Sequence, residues 1–406
     1  MLDLRACRRS APRTALAALA LAGLAAGSAS CGFMRSLVGA NTVNLDKADV
    51  KSMSVDIRRD QKTICPRQPV QMAVFMDVVL EGESQPKSFE TWQGQQGVNK
   101  NDKLDFADFA FHSPQGQFDE SGWFVPNRDL LVTAGTEFEL TTAYKRRPDK
   151  FTFRLTFKPD YQCIDGGGLQ GDDGSAGVAG NPGQNGERGG DGSDNVAGGH
   201  GADGTAGSNG GSGTDGAPGP SLQVYVTMVK TPFYDRLAAV KIAGAVDDFL
   251  LFPPEQKVII FARGGNGGAG GSGGTGGRGG DGGSGNPGGN GGRGGAGGVG
   301  GSGGNGGPGG AITMTFDSHF ADLAHAVQLD VSGGQAGAPG NPGPGGSGGS
   351  AGSGRGNGTM GSSGSSGQSG AAGAAGRNGP NGTANVHPGN VADQFGGLPA
   401  VTILES

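Results

Sequence analysis

The chain has 406 residues, 88 of them Gly, and a formal net charge of −6. Glycine at roughly three times its ordinary share of ~7% excludes one continuous hydrophobic core. The absence of a basic cluster removes the electrostatic footprint of a nucleic-acid binder, and a single apolar run, at 15–26, excludes a multi-span membrane protein.

Residues 1–30 read as an address. Arg5, Arg8, Arg9 and Arg13 precede the run 15–26, which is too short to span a bilayer, and small residues follow up to Cys31. This end resembles a bacterial lipoprotein signal peptide. The resemblance implies lipidation of Cys31, with Ser28 standing where that family usually has Leu. It also implies the cell outer membrane, since Gly32 and not Asp follows Cys31. Simple secretion, or a periplasmic location, is the alternative. Residues 31–48 read as a linker off the anchor. With Cys7 in the leader and Cys31 assigned to lipid, Cys65 and Cys163 remain, and in an oxidising compartment they read as one disulfide. The bland reading is two isolated thiols.

Residues 49–163 alternate with period two. Met53, Val55 and Ile57 do so, then Val70 to Leu80, Phe138 and Leu140, and Phe151 to Phe157. Both Trp residues, Trp92 and Trp123, fall here. Strands with Gly, Pro and Asn turns and no helical period predict an all-β domain, a β-sandwich that looks immunoglobulin-like.

Three tracts follow, at 164–220, 264–310 and 333–382, joined by strand-like connectors at 221–263 and 311–332 and closed by a C-terminal segment at 383–406 with a terminal strand. Gly recurs every third residue from Gly168 to Gly219 except at Asn195, without exception from Gly264 to Gly309, and from Gly334 to Gly382 except at Arg355. Period three matches the three-residue turn of a polyproline-II conformation. A disordered linker needs no such period; it is the bland reading. A collagen-like triple helix would make the protein a homotrimer. The middle tract reads Gly-Gly-X with only Pro287 and Pro308, which favours laterally bonded polyglycine-II helices. It resembles the core of the snow-flea type of antifreeze protein and some phage tail-tip domains.

The defects Asn195, Asn286-Pro287 and Arg355 lie near the tract centres and are turn formers. They predict three hairpins, hence six antiparallel arms, with the Gly-Gly-X hairpin innermost and Asp281 opposite Arg293. Apolar stretches at the tract ends would then meet in a small β-platform, joined by the strand at 151–158.

Chemistry is sparse. Gly189 to Ala197 fits a calcium-binding nonapeptide and Gly198 to Ala206 nearly does, which makes Asp191, Asp194 and Asp203 candidate calcium ligands. Two units are few for such a site, and no other cofactor is implied. The five His residues are scattered, and no nucleophile has an identifiable base, so no enzyme is expected. The lipobox-like end and the Gly-X-X tracts together resemble bacterial collagen-like surface lipoproteins. That resemblance implies a structural or adhesive role at the membrane, with an envelope or extracellular polymer as partner and no nucleic acid. The alternative is a module that binds calcium, polysaccharide or ice on its glycine-repeat face.

Overall fold

A computed structural model describes residues 41–57, 62–91 and 102–405; the Cys31 and Trp92 assignments lie outside the described residues. Before the glycine tracts come β1 (Asn41–Thr42), β2 (Asp49–Ile57), β3 (Thr63–Ile64), β4 (Val70–Val79), β5 (Lys87–Glu90), β6 (Asp102–Lys103), β7 (Phe109–His112), β8 (Gly116–Phe118), β9 (Trp123–Pro126), β10 (Phe138–Tyr144) and β11 (Thr152–Pro159). Then come β12 (Gly166–Gln170), β13 (Ser221–Lys230), β14 (Leu237–Gly244), β15 (Asp248–Phe252), β16 (Val258–Arg263), β17 (Ala311–Asp317), β18 (Val327–Asp330), β19 (Thr383–Gly389) and β20 (Thr402–Ile403). Among the described residues the only α-helices are two four-residue turns, Leu323–Ala326 and Ala392–Phe395. The chain is all-β with few helices, as its period-two stretches require.

The described residues form two compact units, one within 41–54 and 74–105, the other within 55–73 and 106–405. In the first, β1 pairs with β6, and Phe75–Val78 of β4 pair with β5. Leu45, Val50, Val74, Met76, Val78, Phe89 and Leu104 are among its buried side chains.

In the second unit, β7, β10, β11 and β3 make one sheet, while Val70 and Gln71 pair with β9, which pairs with β8. Ile57, Val70, Met72 and Phe124 from one side and Ile64, Phe138, Leu140 and Phe157 from the other share one buried cluster. Strand alternation thus places one apolar face of each sheet on a common core. The Cys65–Cys163 disulfide, with Cα atoms 6.1 Å apart, ties the loop after β3 to the loop after β11. The strand at 151–158 belongs to this sheet: β11 pairs with β10 and β3 and takes no part in the platform. Its partners are supplied by the adjacent hairpin and by β3, so it has no free edge to lend.

The platform is built from the ends of the glycine tracts. β12, β16 and β18 are parallel neighbours in a three-stranded sheet. β13, β17 and β19 are parallel neighbours in a second sheet, extended by β14 and β15, with β20 on β13. Val224, Val226, Val240, Leu250, Val258, Ile260, Ile312 and Met314 fill the core between the sheets. Sequence reasoning missed β12, β14, β15 and β19. β12 is Gly-Gly-Gly-Leu-Gln, and β19 buries no side chain, so neither carries an apolar alternation.

Each strand of the first sheet runs directly into an arm and each arm of the opposite sense runs into the second sheet. Arms 1 (171–192), 3 (264–285) and 5 (333–354) continue β12, β16 and β18. Arms 2 (198–219), 4 (288–310) and 6 (358–382) lead into β13, β17 and β19. Arms 1 and 2 run antiparallel, with Thr205 N–H donating to Gln184 C=O and Thr214 N–H to Ser175 C=O. Arms 3 and 4 are bonded by Gly292 N–H to Gly280 C=O, and arms 5 and 6 by Gly364 N–H to Gly349 C=O. Within a layer the arms are parallel: Gly180 donates to Ser272, and Gly273 to Asn341, each at 2.7–2.9 Å. Two layers result, odd arms in one and even arms in the other. Arms 3 and 4 bond to four neighbours each.

That position explains the Gly-Gly-X composition. A Cβ on Gly274 would meet the Asn181 carbonyl of arm 1, and one on Gly273 the Gly298 carbonyl of arm 4, both closer than 3.0 Å. Only the third residue of each turn, such as Thr275, faces solvent. The same geometry corrects the expected pairing of Asp281 with Arg293. The solvent-facing residues of arm 3 lie on the odd layer and those of arm 4 on the even layer, and Asp281 instead pairs with Arg278 at 2.8 Å. Reflection about Pro287 had ignored which face each residue takes.

Gly274→Ala should therefore lower stability by about 3 kcal/mol or more, because backbone and not a side-chain tip must give way. Thr275→Ala should stay within about 0.5 kcal/mol. Thermal midpoints of the two variants check this; equal midpoints would contradict the packing.

Candidate functional site

The two outer faces of the glycine layers carry the exposed polar groups of this region, and one local motif organises them. Glycine N–H groups are bonded between arms, and Thr205, Ser208 and Thr214 of arm 2 donate to arm 1 carbonyls, but the N–H groups of other face residues, such as Arg278, go to no backbone carbonyl. Asx-Gly pairs close this gap. The Asn185 Oδ1 accepts from Arg278 N–H at 2.8 Å, while Gly186 N–H donates to Arg278 C=O at 2.8 Å. Side-chain oxygen and following N–H together clasp one residue of the next arm, as a strand neighbour would.

The clasp recurs along the odd layer. Asp173 holds Asn266, Asp191 holds Ser284, Asn266 holds Gln335, and Asp281 holds Ser350. In the even layer Asp203 holds Arg293, Asn209 holds Val299, and Asp215 holds Asn305. His200 Nδ1 accepts from Asn290 N–H at 2.9 Å. The separations repeat those of the sheets. Gly166 faces Ile259 as Asp173 reaches Asn266, 93 positions on. β13 and β17 share the 90-residue step of Asp203 to Arg293, β16 and β18 the 69-residue step of Asn266 to Gln335, and β17 and β19 the 72-residue step of Asn290 to Ser362. At the open side of arms 1 and 2, hydroxyls do the same work: Thr205, Ser208 and Thr214 accept from the N–H groups of Gln184, Asn181 and Ser175.

This assigns the candidate calcium ligands a different place. Asp191 also pairs with Arg188 at 2.8 Å on the odd layer, whereas Asp203 turns to arm 4 on the even layer. Asp194 lies in the first turn, where its carbonyl accepts from Asn286 Nδ2. Among the described residues no group of three His, Cys, Asp or Glu side chains could hold a metal ion. Asx-Gly is a turn signal in most sequences. Its recurrence at one fixed frame of the triplet is the sign of clasps in this sequence.

Two platform carboxylates are electrostatically set. Burial pushes Asp317 up, but the backbone N–H of His319, the Thr227 hydroxyl at 2.7 Å and the His319 ring at 2.8 Å outweigh it and hold the acid below its ordinary range. Burial likewise opposes ionisation of Asp330, and the Ser332 N–H and Arg263, at 2.6 Å, prevail. The first fixes the turn after β17 to β13, and the second joins β16 to β18 beside the roots of arms 3 and 5.

A cavity of about 880 Å³ lies in the second unit beside β12, lined by Arg67, Arg128, Lys241, Asp247, Asp248 and Phe249 among others. Its charges are partly satisfied within the chain: Arg67 reaches Asp248 at 2.6 Å and Lys241 donates to the Gln394 carbonyl at 3.1 Å. No helix among the described residues is long and apolar enough to cross a membrane. No family model, curated protein or solved structure matches the chain.

Asp203→Ala should cost about 1 kcal/mol through the orphaned Arg293 N–H, whereas Asp203→Asn, which keeps the acceptor, should cost little; thermal denaturation with calcium present and absent measures both, and neither midpoint should depend on calcium. For Asp317 and Asp330 the folded pKa lies below the unfolded one, so their stabilisation is complete above the ordinary carboxylate range and is lost as pH falls through the folded values. Asp330→Asn should accordingly flatten the acid limb of a midpoint-against-pH curve.

Proposed function

We propose that this chain is a non-catalytic lipoprotein of the cell envelope, anchored through Cys31 in the outer membrane and serving a structural or adhesive role. In this reading residues 49–163 are an immunoglobulin-like spacer, an inference supported by the two sheets on one Phe124–Phe138 core. The six arms are polyglycine-II helices, supported by lateral bonds every third residue in place of intra-arm bonds. The observation that carries the role is the engagement of the face residues. Their acceptors hold neighbouring backbone, so the faces offer a rigid, flat, finely divided polar surface and not a pocket of convergent catalytic groups. Such a surface suits broad, shallow contact with an envelope or extracellular polymer. Its rigidity keeps the entropy lost on binding low.

At about 3.1 Å per residue, arms of this length would extend roughly 70 Å. Two acyl-chain signals would be needed for stable anchoring, since each buried CH₂ contributes only about 0.8 kcal/mol.

Cys31→Ala in the producing cell should abolish incorporation of labelled fatty acid and move the protein from the membrane fraction to the soluble one. Retention of C31A in the membrane fraction would contradict the anchor. A variant lacking 164–382 should still be acylated yet lose adhesion of cells to polymer-coated surfaces; unchanged adhesion would remove the role assigned to the glycine layers.

A further inference from the structure

The chain contains eight Asn-Gly pairs, at Asn185, Asn209, Asn266, Asn290, Asn305, Asn357, Asn378 and Asn381. In Asn-Gly the backbone nitrogen of Gly can attack the Asn Cγ. A C–N bond forms, the Cγ–Nδ2 bond breaks, and ammonia leaves. The succinimide so formed takes up one water and opens to aspartate or isoaspartate. Glycine permits this approach because it has no Cβ to obstruct it. The reaction needs two freedoms: the Asn side chain must swing its Cγ back over the next residue, and the Gly nitrogen must give up its proton.

The arms deny both. In the clasp the Asn Oδ1 is held outward on a neighbouring N–H, and the Gly N–H is held on that same neighbour's carbonyl. Asn185-Gly186 does this to Arg278, Asn209-Gly210 to Val299, and Asn266-Gly267 to Gln335. Asn290-Gly291 and Asn305-Gly306 do it to Ser362 and Arg377. Asn378 and Asn381 accept from Ala336 and Gly333 across the hairpin, and Gly379 and Gly382 donate to Gly334 and Val331.

Asn357 stands outside this scheme. It lies exposed in the turn between arms 5 and 6. Gly358 N–H donates only within that turn, to Arg355 C=O at 2.9 Å, and Gly356 before it has a φ of 58°. Among the described residues no neighbouring arm holds the Asn357 amide.

We propose that Asn357 is the chain's site of spontaneous deamidation, and that the arms protect the seven other Asn-Gly pairs for as long as they stay bonded. Conversion at 357 adds one negative charge in the turn, and isoaspartate adds one backbone atom there, beyond the last inter-arm bonds of arms 5 and 6. Conversion to isoaspartate at a clasp would instead insert a backbone atom between bonded residues of the arm, whereas conversion to aspartate would keep the acceptor, as Asp173 and Asp281 do.

The test uses the intact purified protein, aged at mildly alkaline pH, with a urea-unfolded sample aged in parallel and both mapped by peptide mass spectrometry. In urea all eight pairs should convert. In the folded protein conversion should concentrate at Asn357, the other seven being at least about tenfold slower than in urea because they react only after local opening. Asn357→Ser should leave the thermal midpoint unchanged and remove the acidic species seen on isoelectric focusing. Comparable conversion at the seven arm sites in folded and unfolded samples would overturn the proposal. So would an Asn357 that reacts no faster than the arm sites in the folded protein, or acidic species that persist in N357S.

Discussion

Everything in the glycine region depends on finding partners for backbone N–H and C=O groups that lie in neither helix nor sheet. A three-residue turn leaves no intra-arm bonds, so each arm must be satisfied by its neighbours or by water. The solution is lateral. Glycine N–H groups cross to adjacent arms at 2.6–3.1 Å, and the N–H groups of many non-glycine residues are taken by Asn, Asp, Ser, Thr and His side chains. Glycine is required less for its conformational freedom than for approach: almost any Cβ on the packed frames would sit inside a neighbour's carbonyl.

Lateral bonds alone do not choose a register, because a period-three array can slip by one turn and recover nearly every bond. The platform removes that freedom. Its strands have unique side chains buried in one core, among them Val258, Ile260, Ile312 and Met314, and a slip there would expose them. The residue steps fixed between strands reappear unchanged between arms, so the sheet sets the alignment and the arms inherit it. The clasps then add lateral bonds along the arms, Asp173 and Asn266 each capping a backbone N–H of the neighbouring arm. Ordering so many glycines costs about 1–2 kcal/mol each in backbone entropy, and each net bond contributes only about 0.5–1.5 kcal/mol. A folded platform at the roots of all six arms makes that exchange feasible.

The electrostatics follow the same plan. Arg188–Asp191 and Arg278–Asp281 are pairs one turn apart on one face, and Asp281 is held below its ordinary range first by the Ser350 N–H that it caps. Charge on these faces therefore serves the bonding between arms before it serves any outside partner.

The sequence by itself determined the all-β character, the period-three tracts, the turn-forming defects at Asn195, Asn286-Pro287 and Arg355, and the pairing of Cys65 with Cys163. These are local properties: alternation, triplet period, turn chemistry and cysteine count each reside in neighbouring residues or in composition. Only the tertiary structure decided which faces Asp191, Asp203, Asp281 and Arg293 occupy, that β11 stays with its own sheet, and that β12 and β19 are strands at all. For the face residues and for β12 and β19 the deciding partners lie 69 to 93 positions away. Gly166–Gln170 and Thr383–Gly389 have no apolar alternation of their own; they are strands because β16 and β17 present edges in register beside them. An Asx-Gly pair reads as a turn until a neighbouring arm supplies the N–H and C=O that it clasps.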